Sequence, residues 1–276
     1  MSLKNLGLIA GTGELPSALA SEAREMGYRV LAIGLEPLCD QSLRSSVDSF
    51  YSVNVGKLGK IIEKLKELGI KEAVMAGKVP KGLLYKSKLT PDWRAVKLLL
   101  SIKDHSDDSI LLAITRELER EGIRLLSIPT FTKNLLTPLG AITKRKPSKE
   151  EWKDIEFGWH IAKAIGKIDI GQTVVIKDRA VMAVEAIEGT DEAIHRGGNL
   201  AGGGATIIKV SKPEQDTRFD FPAAGPATLH AMKQVDAKVL ALEAGNTIII
   251  DKEKFIKEAD SAGIAVLGIN LEMQND

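Results

Sequence analysis

The sequence predicts an α/β protein with two domains, because two different patterns of apolar residues occupy its two halves. Residues 1–131 alternate short apolar runs with amphipathic stretches, which predicts a Rossmann-like N-terminal domain with a parallel sheet and helices on both faces. Residues 151–276 contain shorter, β-rich segments and predict a distinct C-terminal α/β domain that carries the catalytic site. Residues 132–150 combine Thr, Pro, Gly and a basic cluster, and they predict the linker.

The first domain begins with an apolar run that leads into a glycine turn. The rest of the domain continues to alternate apolar runs, which predict strands, with amphipathic stretches, which predict helices. Strands are expected at 6–10, 29–35, 72–76 and 124–127, and helices at 16–26, 58–68 and 109–121. The helix at 58–68 has the clearest periodicity, since Ile61, Ile62 and Leu65 share one face opposite lysines and glutamates. Gly69 follows it as a stop signal.

The second domain begins with a helix at 150–166 that is rich in aromatic residues. Strands are expected at 173–176, 181–185, 206–210, 239–242, 247–250 and 265–268, and further helices at 226–234 and 251–262. Between the strands at 181–185 and 206–210, the spacing predicts a helix with Thr190 as N-cap and Asp191 in its first turn. Trp152, Phe157 and Trp159 are candidates for an apolar groove, although aromatic residues on a helix more often face a core.

Composition excludes several classes of protein. The net charge is +1, so no bulk field attracts nucleic acid, and no nucleic-acid partner is expected. The single cysteine, Cys39, excludes a disulfide framework and a cysteine-based zinc site within one chain. We find no run of roughly 18 apolar residues that could span a bilayer, and we expect a cytoplasmic protein.

The first glycine turn is a candidate phosphate site. Gly11, Thr12 and Gly13 follow a strand and precede a helix, where free N–H groups can meet an anion. Pro16 stands where the dinucleotide motif has its third glycine, so a tight βα turn without a ligand remains open. Lys78 follows the strand at 72–76 and is expected at the same sheet edge, where it could meet a phosphate.

An acidic cluster before the helix at 109–121 is a candidate cation site. It consists of Asp104, His105, Asp107 and Asp108. One of the last two aspartates would serve as the N-cap of that helix. Capping explains one carboxylate and leaves the others open as ligands for a divalent ion.

The stretch 185–228 has the composition of a phosphate-handling, metal-assisted site. It contains Glu185, Glu188, Asp191, Arg196, Lys209, Lys212, Gln215, Asp216, Arg218 and Asp220, together with several glycines. Lysine and arginine suit the charge of a pyrophosphate, and carboxylates suit Mg²⁺, which can polarise a phosphoryl oxygen. The alternative is a surface loop with ordinary ion pairs. Chemistry alone leaves hydrolase, transferase and binding protein open.

Several long segments carry a family resemblance. They are IAGTGELP at 9–16, AGKV at 76–79, SDDSILLAITRELEREG at 106–122, GQTVVIKD at 171–178, AVEAIEGTDEAIHRGG at 183–198 and KPEQDTRFDFPAAGPAT at 212–228. The chain resembles UDP-2,3-diacylglucosamine pyrophosphatases of the LpxI type along essentially its whole length. The resemblance implies Mg²⁺-dependent hydrolysis of UDP-2,3-diacylglucosamine to 2,3-diacylglucosamine 1-phosphate (lipid X) and UMP in lipid A biosynthesis, with water attacking the sugar-side phosphorus.

The resemblance also implies one essential residue, and the chemistry of the cluster suggests roles for the others. An essential aspartate of the family maps first to Asp220 and second to Asp216. Beside it, the catalytic candidates are Asp216, Asp191 and Arg218; the substrate-binding candidates are Gly11, Thr12, Gly13, Lys78, Gln172, Thr190, Lys209 and Lys212; the metal candidates are Asp220, Asp216, Glu185 and Glu188. A homodimer and peripheral contact with the inner membrane are further expectations. A nucleotide-dependent oxidoreductase and a non-catalytic carrier of nucleotide sugars or lipids are the rival hypotheses.

Overall fold

The computed structural model describes residues 3–79, 90–102, 107–213, 215–218 and 221–271, with backbone only for Asp107 and Asp108. The chain divides into two compact units. The first comprises Met1–Lys133 and Asp216–Asp220, and the second comprises Asn134–Gln215 and Phe221–Asp276. Of this short segment, the described residues Asp216, Thr217 and Arg218 therefore belong to the first unit, although the sequence predicts them as part of the C-terminal catalytic domain.

The first unit is built on a parallel sheet, as the sequence predicts, and the sheet has five strands where four were expected. Its strands are β1 (Lys4–Ala10), β2 (Tyr28–Glu36), β3 (Ser49–Asn54), β4 (Glu72–Ala76) and β5 (Arg124–Leu125), and its helices are α1 (Leu15–Glu25), α2 (Leu58–Glu67), α3 (Trp93–Ser101) and α4 (Asp107–Arg120). The strand order β3-β2-β1-β4-β5 is that of a doubly wound sheet. The carboxyl ends of β1 and β4 consequently lie side by side.

The second unit is built on a mixed six-stranded sheet. Its elements are β6 (Gly140–Ala141), α5 (Lys149–Lys167), β7 (Thr173–Lys177), β8 (Ala180–Val184), α6 (Thr190–Ala201), β9 (Thr206–Lys209), β10 (Ala223–Ala224), α7 (Pro226–Gln234), β11 (Val239–Glu243), β12 (Ile248–Ile249), α8 (Lys252–Ser261) and β13 (Ala265–Ile269). The sheet order is β6-β13-β11-β9-β7-β8, and β10 and β12 form a separate parallel pair. The three central strands β13, β11 and β9 are parallel. The predicted fold class of two α/β domains is thus confirmed.

The structure places several elements differently from the sequence prediction. β3 was not predicted, because its residues Ser49, Ser52 and Asn54 interrupt any apolar run on a half-buried edge strand. α3 was not predicted either. The predicted linker contains β6, which pairs with β13, so most of the segment belongs to the second unit. The N-cap of α6 is Gly189, at φ +88°, and Thr190 is the first helical residue rather than the cap.

Among the described residues, no helix is both long and apolar enough to cross a membrane. The longest, α5, is a 19-residue helix that opens with a capping box between Ser148 and Glu151. Its apolar face covers the second sheet, with Ile155, Trp159 and Ala162 in the core. Trp159 is only 1% exposed and is therefore a core residue, not part of an apolar groove.

Two glycines of α5 give a matched test of this packing. A Cβ at Gly158 would lie 2.5 Å from Ile208 Cδ1 and 2.8 Å from Ile176 Cγ1, whereas at Gly166 the nearest atom is 3.5 Å away. We expect Gly158→Ala to lower the free energy of unfolding by about 1–3 kcal/mol through overpacking. Gly166→Ala should leave stability unchanged or raise it by up to about 1 kcal/mol through helix propensity. Urea denaturation measures both, and equal stability of the two variants would contradict the packing described.

Candidate active site

A buried lysine ends the central strand β9 of the second unit. Lys209 lies opposite Thr173 of β7 in the strand register, and it is only 4% exposed. A buried ammonium group requires hydrogen-bond partners, because leaving water unpaired is costly. The partners identify which other residues form the site.

Lys209 is the first member of a hydrogen-bonded chain of three buried side chains. Its Nζ donates to Thr190 Oγ1 at 3.0 Å, and Thr190 Oγ1 donates to Glu185 Oε1 at 2.8 Å. Thr190 is 4% exposed and Glu185 7%. Since the single hydroxyl accepts from the lysine and donates to the glutamate, the two charged groups fix its orientation. This chain joins the end of β9, the start of α6 and the residue that follows β8.

The segment before β7 completes the cluster. Gln172 N donates to Glu185 Oε2 at 3.4 Å, and Val210 N donates to Gln172 O at 3.0 Å. A Cβ at Gly171 would lie 2.1 Å from Glu185 O, so this close approach requires glycine. Two buried oxygens, Gln172 Oε1 and Thr173 Oγ1, have no hydrogen-bond partner among the described residues. Buried polar atoms of this kind call for a water or a ligand as partner.

The structure thus brings four predicted site residues together in the second unit: Gln172, Glu185, Thr190 and Lys209. Asp191 lies in the first turn of the same helix, α6. Lys212 is three residues beyond Lys209, and its Nζ lies 2.5 Å from Asp169 Oδ1. Glu188 lies near the start of α6 and pairs with Arg196 at 2.5 Å. The hydrogen bond from Arg196 holds the pKa of Glu188 below its usual value.

Asp216 and Arg218 form an ion pair in the first unit. Arg218 Nη2 lies 2.6 Å from Asp216 Oδ2, and its Nε lies within hydrogen-bond distance of both carboxylate oxygens, at 3.0 and 3.1 Å. The backbone nearby is held by Ile128 N, which donates to Thr217 O at 2.9 Å. Arg218 also lies 3.7 Å from Glu119 of α4. Arg218 therefore forms an ion pair with Asp216, and its contact with Glu119 connects this segment to α4 of the first unit.

The ion pair also determines the charge of Asp216. The hydrogen bond from Arg218 lowers the pKa of Asp216 from its usual value near 3.8. The stabilisation from this pair is fully present above the unfolded pKa and is lost as pH falls through the lowered, folded value. Asp216 is therefore an anionic partner for Arg218 at neutral pH. Asp220, two residues beyond Arg218, lies outside the described residues.

The described carboxylates do not by themselves form a magnesium site. Each of the described candidates already has a partner within the protein. Glu185 accepts a hydrogen bond from Thr190, while Glu188 and Asp216 form ion pairs with Arg196 and Arg218. Within the described ranges, no three His, Cys, Asp or Glu side chains gather as a metal site would require. The predicted ligand set of these residues and Asp220 consequently remains a prediction. Asp104 and His105 lie outside the described residues, as do the side chains of Asp107 and Asp108.

The first glycine turn lies where the sequence predicts it, but its amide groups are largely engaged. Gly11 N donates to Ala76 O, while Thr12 and Lys78 exchange two backbone hydrogen bonds, at 3.0 and 2.9 Å. A Cβ at Gly11 would lie 2.6 Å from Lys78 O, so glycine is required for this approach. Gly11 and Thr12 therefore use their N–H groups to join two loops. The side chains of Thr12 and Lys78, and the backbone of Gly13, remain the candidates for ligand contact at this edge.

Sequence reasoning missed one buried ion pair near the end of β9. Glu243, the last residue of β11, is 4% exposed, and Lys163 Nζ of α5 lies 3.1 Å from both of its carboxylate oxygens. The available signal was an acidic residue closing an otherwise apolar strand, VLALE. Its partner lies 80 residues away in sequence, so the pair itself could not be read from local spacing.

The fold defines an α/β protein of two units, the second of which carries the buried chain of Lys209, Thr190 and Glu185. Residues 5–135 match the LpxI N-terminal domain, and residues 138–267 match the LpxI C-terminal domain. A curated relative, UDP-2,3-diacylglucosamine pyrophosphatase LpxI of Caulobacter vibrioides, is 34% identical over 97% of this chain and 98% of its own length. The protein therefore belongs to the LpxI family.

Other similarities have lower sequence identity. A bifunctional purine biosynthesis protein PurH of Bacillus cereus is 29% identical over 45% of this chain and 22% of its own length. Among solved structures, WbmG of Bordetella bronchiseptica in complex with NAD and UDP matches 42% of this chain and 34% of its own, with 16% identity and a TM-score of 0.27. The structure of gox2253 matches 98% of this chain and 91% of its own, with 10% identity and a TM-score of 0.30.

Proposed function

We propose that this protein hydrolyses the pyrophosphate of UDP-2,3-diacylglucosamine to 2,3-diacylglucosamine 1-phosphate (lipid X) and UMP, a step of lipid A biosynthesis. The observation that carries the proposal is the full-length similarity to a curated enzyme of that activity, at 34% identity over 97% of the chain. The similarity includes both family domains. The buried cation in the second unit supplies chemistry that a pyrophosphate substrate needs.

The proposed reaction adds one water molecule across the pyrophosphate. The water oxygen bonds to the sugar-side phosphorus, the bond from that phosphorus to the bridging oxygen breaks, and UMP leaves with the bridging oxygen. The protons of the water pass to a base and then to solvent. Negative charge accumulates on the phosphoryl oxygens, and a fixed cation in a site shielded from water stabilises it more strongly than solvent would.

Lys209 is the residue proposed for that cationic role in the second unit. Its ammonium is buried, and the hydroxyl of Thr190 holds it in a fixed direction. Glu185 in turn orients the hydroxyl, so we assign Thr190 and Glu185 as positioning residues. Lys212 and Arg218 would contribute further positive charge, and Asp220 and Asp191 would act on the attacking water. Gln172 is proposed to contact substrate through Oε1, which is buried and has no hydrogen-bond partner in the part of the chain that the structure describes.

Substitution of Thr190 tests the positioning role. Thr190→Val removes the hydroxyl that joins Lys209 to Glu185, and we expect kcat/KM to fall about 10- to 100-fold, as for a lost hydrogen bond to a charged group. Thr190→Ser keeps the hydroxyl and should retain activity near that of the wild type. Steady-state kinetics with thermal melting measures both variants. Equal losses in the two variants would show that the hydroxyl is not the determinant.

The first unit is proposed to hold the uridine or its phosphate at Thr12, Gly13 and Lys78, with Gly11 shaping the turn. The carboxyl edge of the parallel strands β1 and β4 is where doubly wound sheets bind ligands. Because the substrate carries two acyl chains, we also propose that the protein works in the cytoplasm at the surface of the inner membrane. We also propose that the protein forms a homodimer.

Magnesium dependence also belongs to the proposal, with Asp220 as the first candidate ligand. Bound Mg²⁺ would polarise the phosphoryl oxygens. We expect dialysis against EDTA to abolish turnover and added Mg²⁺ to restore it, whereas Ca²⁺, which is larger and less demanding in geometry, should restore less. Product formation before and after addition is the measurement. Full turnover in EDTA would remove the metal from the mechanism.

The lipid content of the purified protein tests the substrate class. We expect mass spectrometry of a solvent extract to find lipid X or its UDP-linked precursor enriched over the bulk phospholipids of the host. Phospholipids alone, in the proportions of the host membrane, would contradict the proposal. Retention of uncleaved precursor by the wild-type protein with Mg²⁺ present would favour a carrier instead.

A further inference from the structure

A buried carboxylate at the end of β11 organises the chain that leaves β9. Besides pairing with Lys163, Glu243 accepts hydrogen bonds from Ser211 N at 2.8 Å and from Asn246 Nδ2 at 2.9 Å. The side chains of Lys163 and Glu243 are only 18% and 5% exposed. Burial of an ion pair is a costly way to gain stability, and such pairs are better suited to fixing one geometry. What Glu243 fixes here is the position of Ser211.

Ser211 in turn orients the side chain of Gln215. Ser211 Oγ lies 2.9 Å from Gln215 Oε1, and Lys212 N donates to the same oxygen at 3.2 Å. A backbone N–H can only donate, so the acceptor at this position is the amide oxygen and the amide cannot be flipped. The amide nitrogen of Gln215 therefore has a defined direction, opposite to the oxygen.

The amide nitrogen of Gln215 is buried and has no hydrogen-bond partner among the described residues. It offers two N–H donors and no acceptor. A buried donor without a partner costs free energy, so a site that holds one in a fixed direction is suited to an acceptor that arrives from outside. The residue is followed directly by Asp216, where the chain enters the segment that belongs to the first unit.

We propose that Gln215 contacts the ligand: its Nε2 donates to an acceptor oxygen of the UDP-sugar, and Glu243 acts through Ser211 as the positioning residue for it. The inference rests on the proposed function for the identity of the ligand. Two kinds of oxygen in the ligand share the required chemistry, namely the phosphoryl oxygens and the carbonyl oxygens of uracil. Both accept hydrogen bonds from an amide N–H.

Two substitutions separate a ligand contact from a purely structural role. Gln215→Glu keeps an oxygen that accepts from Ser211 and Lys212 but replaces the donor nitrogen by a second oxygen. Gln215→Met removes the donor without adding charge. We expect both variants to bind UDP at least about tenfold more weakly than the wild type in calorimetric titrations, with Gln215→Glu the weaker. Gln41→Glu is the matched control, since Gln41 Oε1 likewise accepts a hydrogen bond, from Arg44, on an exposed surface.

The outcomes are decisive because binding is measured apart from turnover. Unchanged UDP affinity in either Gln215 variant, or no UDP binding by the wild type, overturns the inference. Thermal melting identifies a variant that is unfolded. In that case, the UDP affinity of the other Gln215 variant tests the inference. Failure of the wild type to hydrolyse the lipid substrate while UDP binding depends on Gln215 would overturn only the proposed function. Titrations with inorganic pyrophosphate and with uridine identify the oxygen, because the weakening should follow whichever fragment carries it.

Discussion

Replacing Asp220 by asparagine should lower kcat by about 10²–10⁴-fold, the range for loss of a carboxylate that takes part in proton transfer. Asparagine has nearly the same shape but neither the charge nor the basicity of aspartate. We therefore expect the protein to remain folded, with an unchanged melting temperature. Steady-state turnover of UDP-2,3-diacylglucosamine, measured beside thermal melting, checks both parts of this expectation.

Asp236→Asn is the matched control for the same chemical change. Asp236 is exposed in the turn before β11, pairs with Lys238 at 2.5 Å, and has φ +51°, a conformation that asparagine tolerates. Its turnover should equal that of the wild type. If Asp220→Asn turned over at the rate of this control, the catalytic assignment would pass to Asp216 or Asp191.

Replacing Glu243 by alanine should have the largest effect on stability, lowering the free energy of unfolding by about 3–5 kcal/mol. The change removes a buried carboxylate partner of Lys163 and leaves the buried donors Ser211 N and Asn246 Nδ2 without this acceptor. Unpaired buried groups cost more than the pair contributes when intact. Urea denaturation with linear extrapolation gives the difference directly.

Glu150→Ala provides the comparison, because Glu150 lies on α5, the helix that also carries Lys163. Glu150 pairs with Lys153 of α5 at 2.7 Å, but the side chains are 70% and 50% exposed. An exposed pair of this kind is screened by water and contributes little, so no measurable change is expected. A Glu243→Ala variant as stable as Glu150→Ala would mean that solvent reaches Lys163 and that Glu243 does not organise the segment after β9.

The sequence predicts most strands and helices because they bury continuous apolar runs or faces. β4 and α7 occur at the predicted residues, and α2 differs by one residue at its end. β3 could not be found in this way, since a half-buried edge strand that carries serines has no apolar run. The helix α6 was expected to be capped by Thr190, but the hydroxyl of Thr190 is used for Glu185 instead.

The site was predictable as a list of residue types but not as an arrangement. Gln172, Glu185, Thr190 and Lys209 were all candidates, and tertiary pairing across β7, β8 and β9 brings them together. Spacing also suggested that Asp216 and Arg218 belong with Lys209, since only a few residues separate them. Contacts made by distant parts of the chain assign them to the first unit, with Ile128 and Glu119 as neighbours, so their grouping with Lys209 stays a prediction.

The central claim is hydrolysis of one particular bond, and the products identify that bond. Purified wild-type protein should be incubated with UDP-2,3-diacylglucosamine and Mg²⁺ in water enriched in ¹⁸O, and the products should be separated by mass spectrometry. We expect stoichiometric UMP and 2,3-diacylglucosamine 1-phosphate, with the ¹⁸O in the lipid phosphate. Release of UDP together with the free diacylated sugar, or recovery of intact substrate under these conditions, would contradict the proposed function.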